Sequence, residues 1–109
     1  MRSDAVPLNA EAVQALADRI LSQIAILYTA HQISPTPVQQ QMLNSHVQAM
    51  ASRSLSGEAL PEVEAELFDD IPPDSLQLAQ QIVDLFGNLP VEEAWLLSVH
   101  IEVAKSNNA

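Results

Sequence analysis

Prolines divide this 109-residue chain into segments of helix length. Pro35 and Pro37 stand close together, Pro72 and Pro73 are adjacent, and Pro90 follows Leu89. Proline lacks a backbone donor and disfavours the helical conformation in the residue before it, so a helix rarely runs through one. Between these breaks the apolar residues recur at helical intervals. The first stretch carries Val13, Leu16, Ala17, Ile20, Leu21, Ile24, Leu27 and Tyr28, with Asn9 suited to cap it. In the second, Thr36-Pro37-Val38-Gln39 has the form of a capping box with proline in the first turn. Its apolar stripe is Val38, Met42, Leu43, His46, Val47, Met50 and Leu55.

Leu60 to Phe68 reads as a short helix with an acidic outer face. Leu76, Ala79, Ile82, Val83 and Phe86 mark a further helix, with Gly87 or Asn88 to end it. The last opens at Leu89-Pro90, with proline expected in its first turn, and runs to about Lys105, with Glu92 and Glu93 near its positive end. The expected fold is all-α: four substantial helices and one short one, packed as a compact five-helix bundle. Residues 9–106 are expected to form one domain, with residues 1–8 a flexible N-terminus.

Fourteen acids against four bases give a formal charge of −10. A chain this acidic is repelled by phosphate backbones, so direct nucleic-acid binding is not expected. Seven of the acids lie between Glu58 and Asp74, which reads as a solvated face or as a dock for a basic partner. There is no cysteine, which removes disulfides and thiolate metal sites. The opening MRSDAVPLN does not read as a signal peptide, so none is expected, and no apolar run is long enough for a membrane span. A cytoplasmic protein without cofactor or metal is expected.

Enzyme motifs are missing: no glycine-rich phosphate loop, no His-Glu-x-x-His pair and no G-x-S-x-G elbow. Adjacent acids such as Asp69-Asp70 diverge and make poor acid–base pairs. The chain is therefore not expected to be an enzyme. Of its three histidines, His31 falls at a helix end, where a surface or capping role suffices. His46 and His100 lie within helices beside apolar faces. Spacing alone makes each a partly buried, satisfied histidine. A neutral imidazole in such a place is also a competent nucleophile toward phosphorus.

The order of features adds to this. "LNSHVQAMASR" places Arg53 seven residues after His46. An amphipathic helix from Leu76 to Phe86 follows. "LPVEEAWLLSVHI" then carries Leu89, Pro90 and Glu93, with an apolar run ending in His100. This arrangement resembles the PTS regulation domain (PRD) family. The stretch from His46 to Ile101 carries the match, and residues 9–35 fit only as an amphipathic first helix. The resemblance implies a five-helix bundle that commonly forms a homodimer. It also implies phosphorylation of His46 and His100 by a phosphocarrier protein or a sugar-specific component of the phosphotransferase system. Arg53 and Glu93 are the implied supporting residues.

Two departures stand out. Ser45 occupies the place where the family usually has an aspartate before the first histidine. Serine orients an imidazole less well, which ranks His100 ahead of His46. Such domains also usually come in tandem beside an effector module, whereas this one is expected to stand alone and to act through a separate regulatory partner protein. A phosphate near Arg53 would gain charge-assisted contacts, and near Glu93 it would be repelled. A helical adaptor that keeps the bundle without phosphorylation, or an accessory protein for a small ligand, are the other readings left open.

Overall fold

The computed structural model describes residues 10–58, 60 and 62–106. Four α-helices follow in order: α1 (Ala10–Ala30), α2 (Pro37–Ser56), α3 (Pro73–Asp84) and α4 (Val91–Lys105). The fifth helix expected within Leu60–Phe68 is instead a single 3₁₀ turn over Ala65–Phe68. Four residues cannot repay the cost of nucleating an α-helix. No residue of that turn is buried, and Leu67 is 72% exposed. Phe68 ties it to α4, its ring centroid lying 6.1 Å from that of Trp95.

Local chemistry sets most of the helix ends. The cap expected at Asn9 lies outside the described residues. At its C-terminus α1 closes in a Schellman motif. Ile33 donates its backbone N–H to the Tyr28 carbonyl, and Gln32 donates to Thr29. Gln32 holds the left-handed conformation that this motif requires, at φ 59°. Ile33 is then carried into the core.

The capping box of α2 forms as the sequence predicts. Gln39 N–H donates to the Thr36 hydroxyl at 3.2 Å, and Thr36 N–H donates to the Gln39 side chain at 3.0 Å. Gly57 ends α2 at φ 75°. Pro90 takes the capping position of α4 rather than its first turn. The last regular residue of α3 is Asp84, a little before the expected cap.

Six-residue connections join α1 to α2 and α3 to α4, so each pair is an antiparallel hairpin. The hairpins meet where α2 packs on α4 and α1 on α3. One core fills the space between them. It is built from Ile20, Ile24, Leu43, Val47, Met50, Leu78, Ile82, Leu97 and Ile101. Ala17, Ala51, Ala79, Ala94 and Ala104 are at most 2% exposed and let the backbones approach closely.

The buried line of α2 is narrower than the apolar stripe in its sequence. Leu43, Val47, Met50 and Ala51 are buried, whereas Val38, Met42 and Leu55 remain exposed. On α3, Leu78 is buried in the core and Leu76 only partly, so the inward face is turned slightly from the one the spacing suggests.

Replacing Thr36 with alanine removes one half of the capping box. The expected cost is about 1 kcal/mol of unfolding free energy, read from the urea midpoint. A change below a few tenths would mean that the cap does not hold the start of α2.

Candidate functional site

The antiparallel contact of α2 with α4 brings the four residues singled out in the sequence onto one seam. His46 faces His100, with ring centroids 4.8 Å apart and planes tilted by 60°. Arg53 faces Glu93, and the pair is bidentate: Nε to Oε2 at 2.7 Å and a terminal guanidinium nitrogen to Oε1 at 2.8 Å. His46 and Arg53 are seven residues apart, as are Glu93 and His100. Seven residues are two helical turns, or about 10 Å. Two rungs therefore cross the seam at the same separation on both helices. Met50 and Leu97, both fully buried, stand between them.

Glu93 is 0% exposed, and the Arg53 side chain 17%. A carboxylate so placed is tolerable only with a partner that satisfies both oxygens, which a guanidinium fork does. The pairing also means that Arg53 is already engaged and is not a free cation beside the histidines.

Burial pushes the His46 imidazole down to about 4, helped by its neighbour His100 and by Arg53 and opposed by Glu93. Burial lowers His100 as well. Both rings are therefore neutral at pH 7, each with a nitrogen lone pair. Nε2 of His46 is closed off from solvent and has no hydrogen-bond partner, as is the hydroxyl of Tyr28. Burial lifts Tyr28 to about 12, so its phenol keeps its proton at any ordinary pH. Tyr28 and His100 share the wall of a cavity of about 90 Å³, completed by Leu43, Met42, Val99 and Val103. At the other end of the seam Arg53, Glu58, Glu62, Asn88, Leu89 and Glu92 border an open groove of about 500 Å³.

His31 is exposed at the end of α1 and borders a separate cavity with Ile33 and Lys105. Among the described residues no group of three or more histidines and acids is arranged to hold a metal. No described helix is long and apolar enough to cross a membrane.

One polar cluster was not anticipated from the sequence. The Ser75 hydroxyl donates to Glu102, and Lys105 donates to Ser75 and Glu102 at 2.9 Å and to Asp74 at 3.1 Å. These contacts tie the start of α3 to the end of α4. Hydrogen bonds from Lys105 to Asp74, and from Ser75 to Glu102, hold both carboxyls low. The signal was present, since an antiparallel hairpin brings acids in the first turn of α3 to a basic last turn of α4.

The seam thus holds a histidine pair between antiparallel helices of a small helical bundle. No protein-family model matches the chain, and no curated protein matches it. A solved structure does: the crystal structure of a PRD-containing transcription regulator from Lactobacillus casei ATCC 334. The match has a TM-score of 0.76 and 36% sequence identity over 94% of this chain and 88% of that one. The chain belongs to the PRD family. The likeness extends past the His46–Ile101 stretch to take in most of α1.

Two outcomes test the geometry of the seam. Arg53→Ala leaves a buried carboxylate unpaired and is expected to cost about 3–5 kcal/mol, whereas the double change Arg53→Met with Glu93→Leu should recover most of it. Urea unfolding measures both, and equal losses in the two variants would contradict the pairing.

The second outcome is a pH dependence. The unfolded chain takes a proton on His46 near pH 6.5, and the folded chain only near 4. Stability is therefore full above pH 6.5 and falls by up to about 3 kcal/mol as the pH drops to 4. His100 acts in the same direction, and Asp74 and Glu102 add their losses only at lower pH. His46→Gln should flatten the decline between pH 7 and 4.5. An unchanged slope would mean that His46 is not the titrating group.

Proposed function

We propose that this domain is a regulatory module switched by phosphorylation of a histidine, with His100 the principal acceptor and His46 the second. The observation that carries the reading is the contact of two neutral imidazoles from facing helices, in a chain whose solved relative is described as a transcription regulator. The donor is a phosphohistidine of a phosphocarrier protein, or of a sugar-specific component of the phosphotransferase system. The lone pair of the acceptor ring forms a new P–N bond as the donor's P–N bond breaks, and that electron pair returns to the donor's ring. No metal or cofactor enters, and the domain is a substrate of the transfer rather than an enzyme.

The phosphoryl group brings about −1.5 to −2 charge on its oxygens to a place where no negative charge stood. Arg53 is held by Glu93, so the new charge is not neutralised in place. The seam between α2 and α4 must then rearrange, or Arg53 must leave Glu93. Either change alters the surface around His100. Met42, Val99 and Val103 are 57%, 42% and 45% exposed there and form an uncharged apolar rim. On a chain of charge −10, that rim is a place where a second copy can approach without repulsion. The output is a change in association, as a homodimer and with a separate regulatory partner protein in the cytoplasm.

The test is transfer from phosphoenolpyruvate through the general phosphotransferase proteins, followed by intact mass at neutral pH. One acid-labile phosphate is expected, absent in His100→Ala and retained in most of the His46→Ala protein. No phosphate on the wild type, with a working control acceptor, would overturn the reading and leave a helical adaptor. Light scattering tests the dimer, and a monomer at high concentration would refute it.

A further inference from the structure

The Tyr28 side chain is 4% exposed, and its hydroxyl has no hydrogen-bond partner. A buried hydroxyl left in this way costs free energy, and nearly all such groups in folded proteins are paired. The cavity that Tyr28 borders offers few choices. Its lining is Pro35, Met42, Leu43, Val99, Val103 and Ala104, apart from Gln39 and His100. Gln39 is committed to the capping box of α2. The His100 imidazole is the remaining polar side chain of that lining; as placed it does not reach the hydroxyl, and its partly buried ring must turn across the cavity, about 90 Å³, to do so.

We propose that Tyr28 is a positioning residue for His100: its hydroxyl oxygen accepts the N–H of the turned imidazole and so fixes which ring nitrogen keeps the lone pair. This rests on the reading of His100 as the phosphoryl acceptor. The tautomer of a neutral imidazole is set by the hydrogen bond its other nitrogen makes. A carboxylate commonly supplies that bond. Ser45 adjoins His46 but is exposed, and Glu93 is taken up by Arg53. Tyr28 supplies the acceptor from a third helix.

The N–H facing Tyr28 keeps its proton throughout the transfer. The opposite nitrogen, turned away from the cavity, forms the P–N bond. The donor's bond to phosphorus breaks with its electron pair. Because the phenol stays neutral, it adds no negative charge to repel the incoming phosphoryl group.

The experiment compares the wild type with Tyr28→Phe, which keeps the ring and removes only the hydroxyl. Nitrogen-15 NMR of the histidine rings at pH 7.5 reads the tautomer directly. The wild type is expected to show one protonated and one unprotonated His100 nitrogen. In Tyr28→Phe the two shifts should move toward each other as the tautomers exchange.

Phosphorylation by phosphoramidate, which transfers its phosphoryl group with loss of ammonia and needs no protein donor, should slow by roughly fivefold, the equivalent of about one hydrogen bond. An identical nitrogen pattern in the two proteins overturns this inference even where both take up phosphate. A locked tautomer in a wild type that takes up no phosphate from either donor overturns the phosphoacceptor reading and leaves the Tyr28 bond standing. A tyrosine that serves only to fill space would move neither the tautomer nor the rate.

Discussion

A carboxylate with no exposure to solvent, Glu93, dictates how the two halves of this bundle meet. It requires a partner with two donors at the right spacing, and Arg53 is that partner. An ion pair of this kind contributes little net stability against an apolar pair of the same size. Its effect is on register. With Arg53 fixed on Glu93, sliding α2 along α4 by one turn would strand the carboxylate. The same constraint puts His46 level with His100, because both spacings are seven residues and the helices run in opposite directions. The histidine contact thus follows from an interaction two turns away.

That arrangement also explains the electrostatic state of the histidines. They lie on a seam where the nearby charges are already matched, so burial dominates and both rings stay neutral. A neutral ring is what nucleophilic attack on phosphorus requires. A negative charge arriving on such a ring would meet an environment built without one. With the Arg53–Glu93 pair already matched, a charge placed on either imidazole would find no free counter-charge in that pair.

Much of this was legible in the sequence where local rules decide. The capping box at Thr36 and Gln39, the proline breaks and the stripe on α1 each depend on residues within a turn or two, and each appears in the structure. The positions of His46, Arg53, Glu93 and His100 in a familiar order gave the family. Pairings across the bundle were not legible. Whether Arg53 would face a histidine or Glu93 depends on the register of α2 against α4, which periodicity does not specify. The short helix expected at Leu60–Phe68 shrank to one turn because glutamates alternating with few apolar residues gave it no buried face. Tyr28 read only as one more apolar position on α1. Nothing in its spacing reveals a hydroxyl without a partner, or the cavity that joins it to His100.

The central claim is that the two imidazoles touch across α2 and α4. Nuclear Overhauser contacts between the ring protons of His46 and His100 test it directly in solution. At a centroid separation of 4.8 Å, cross-peaks between the rings are expected, and they should vanish when either histidine is replaced. Assigned ring protons with no such cross-peaks in the unmodified protein would contradict the register of the seam, and with it the site built on that register.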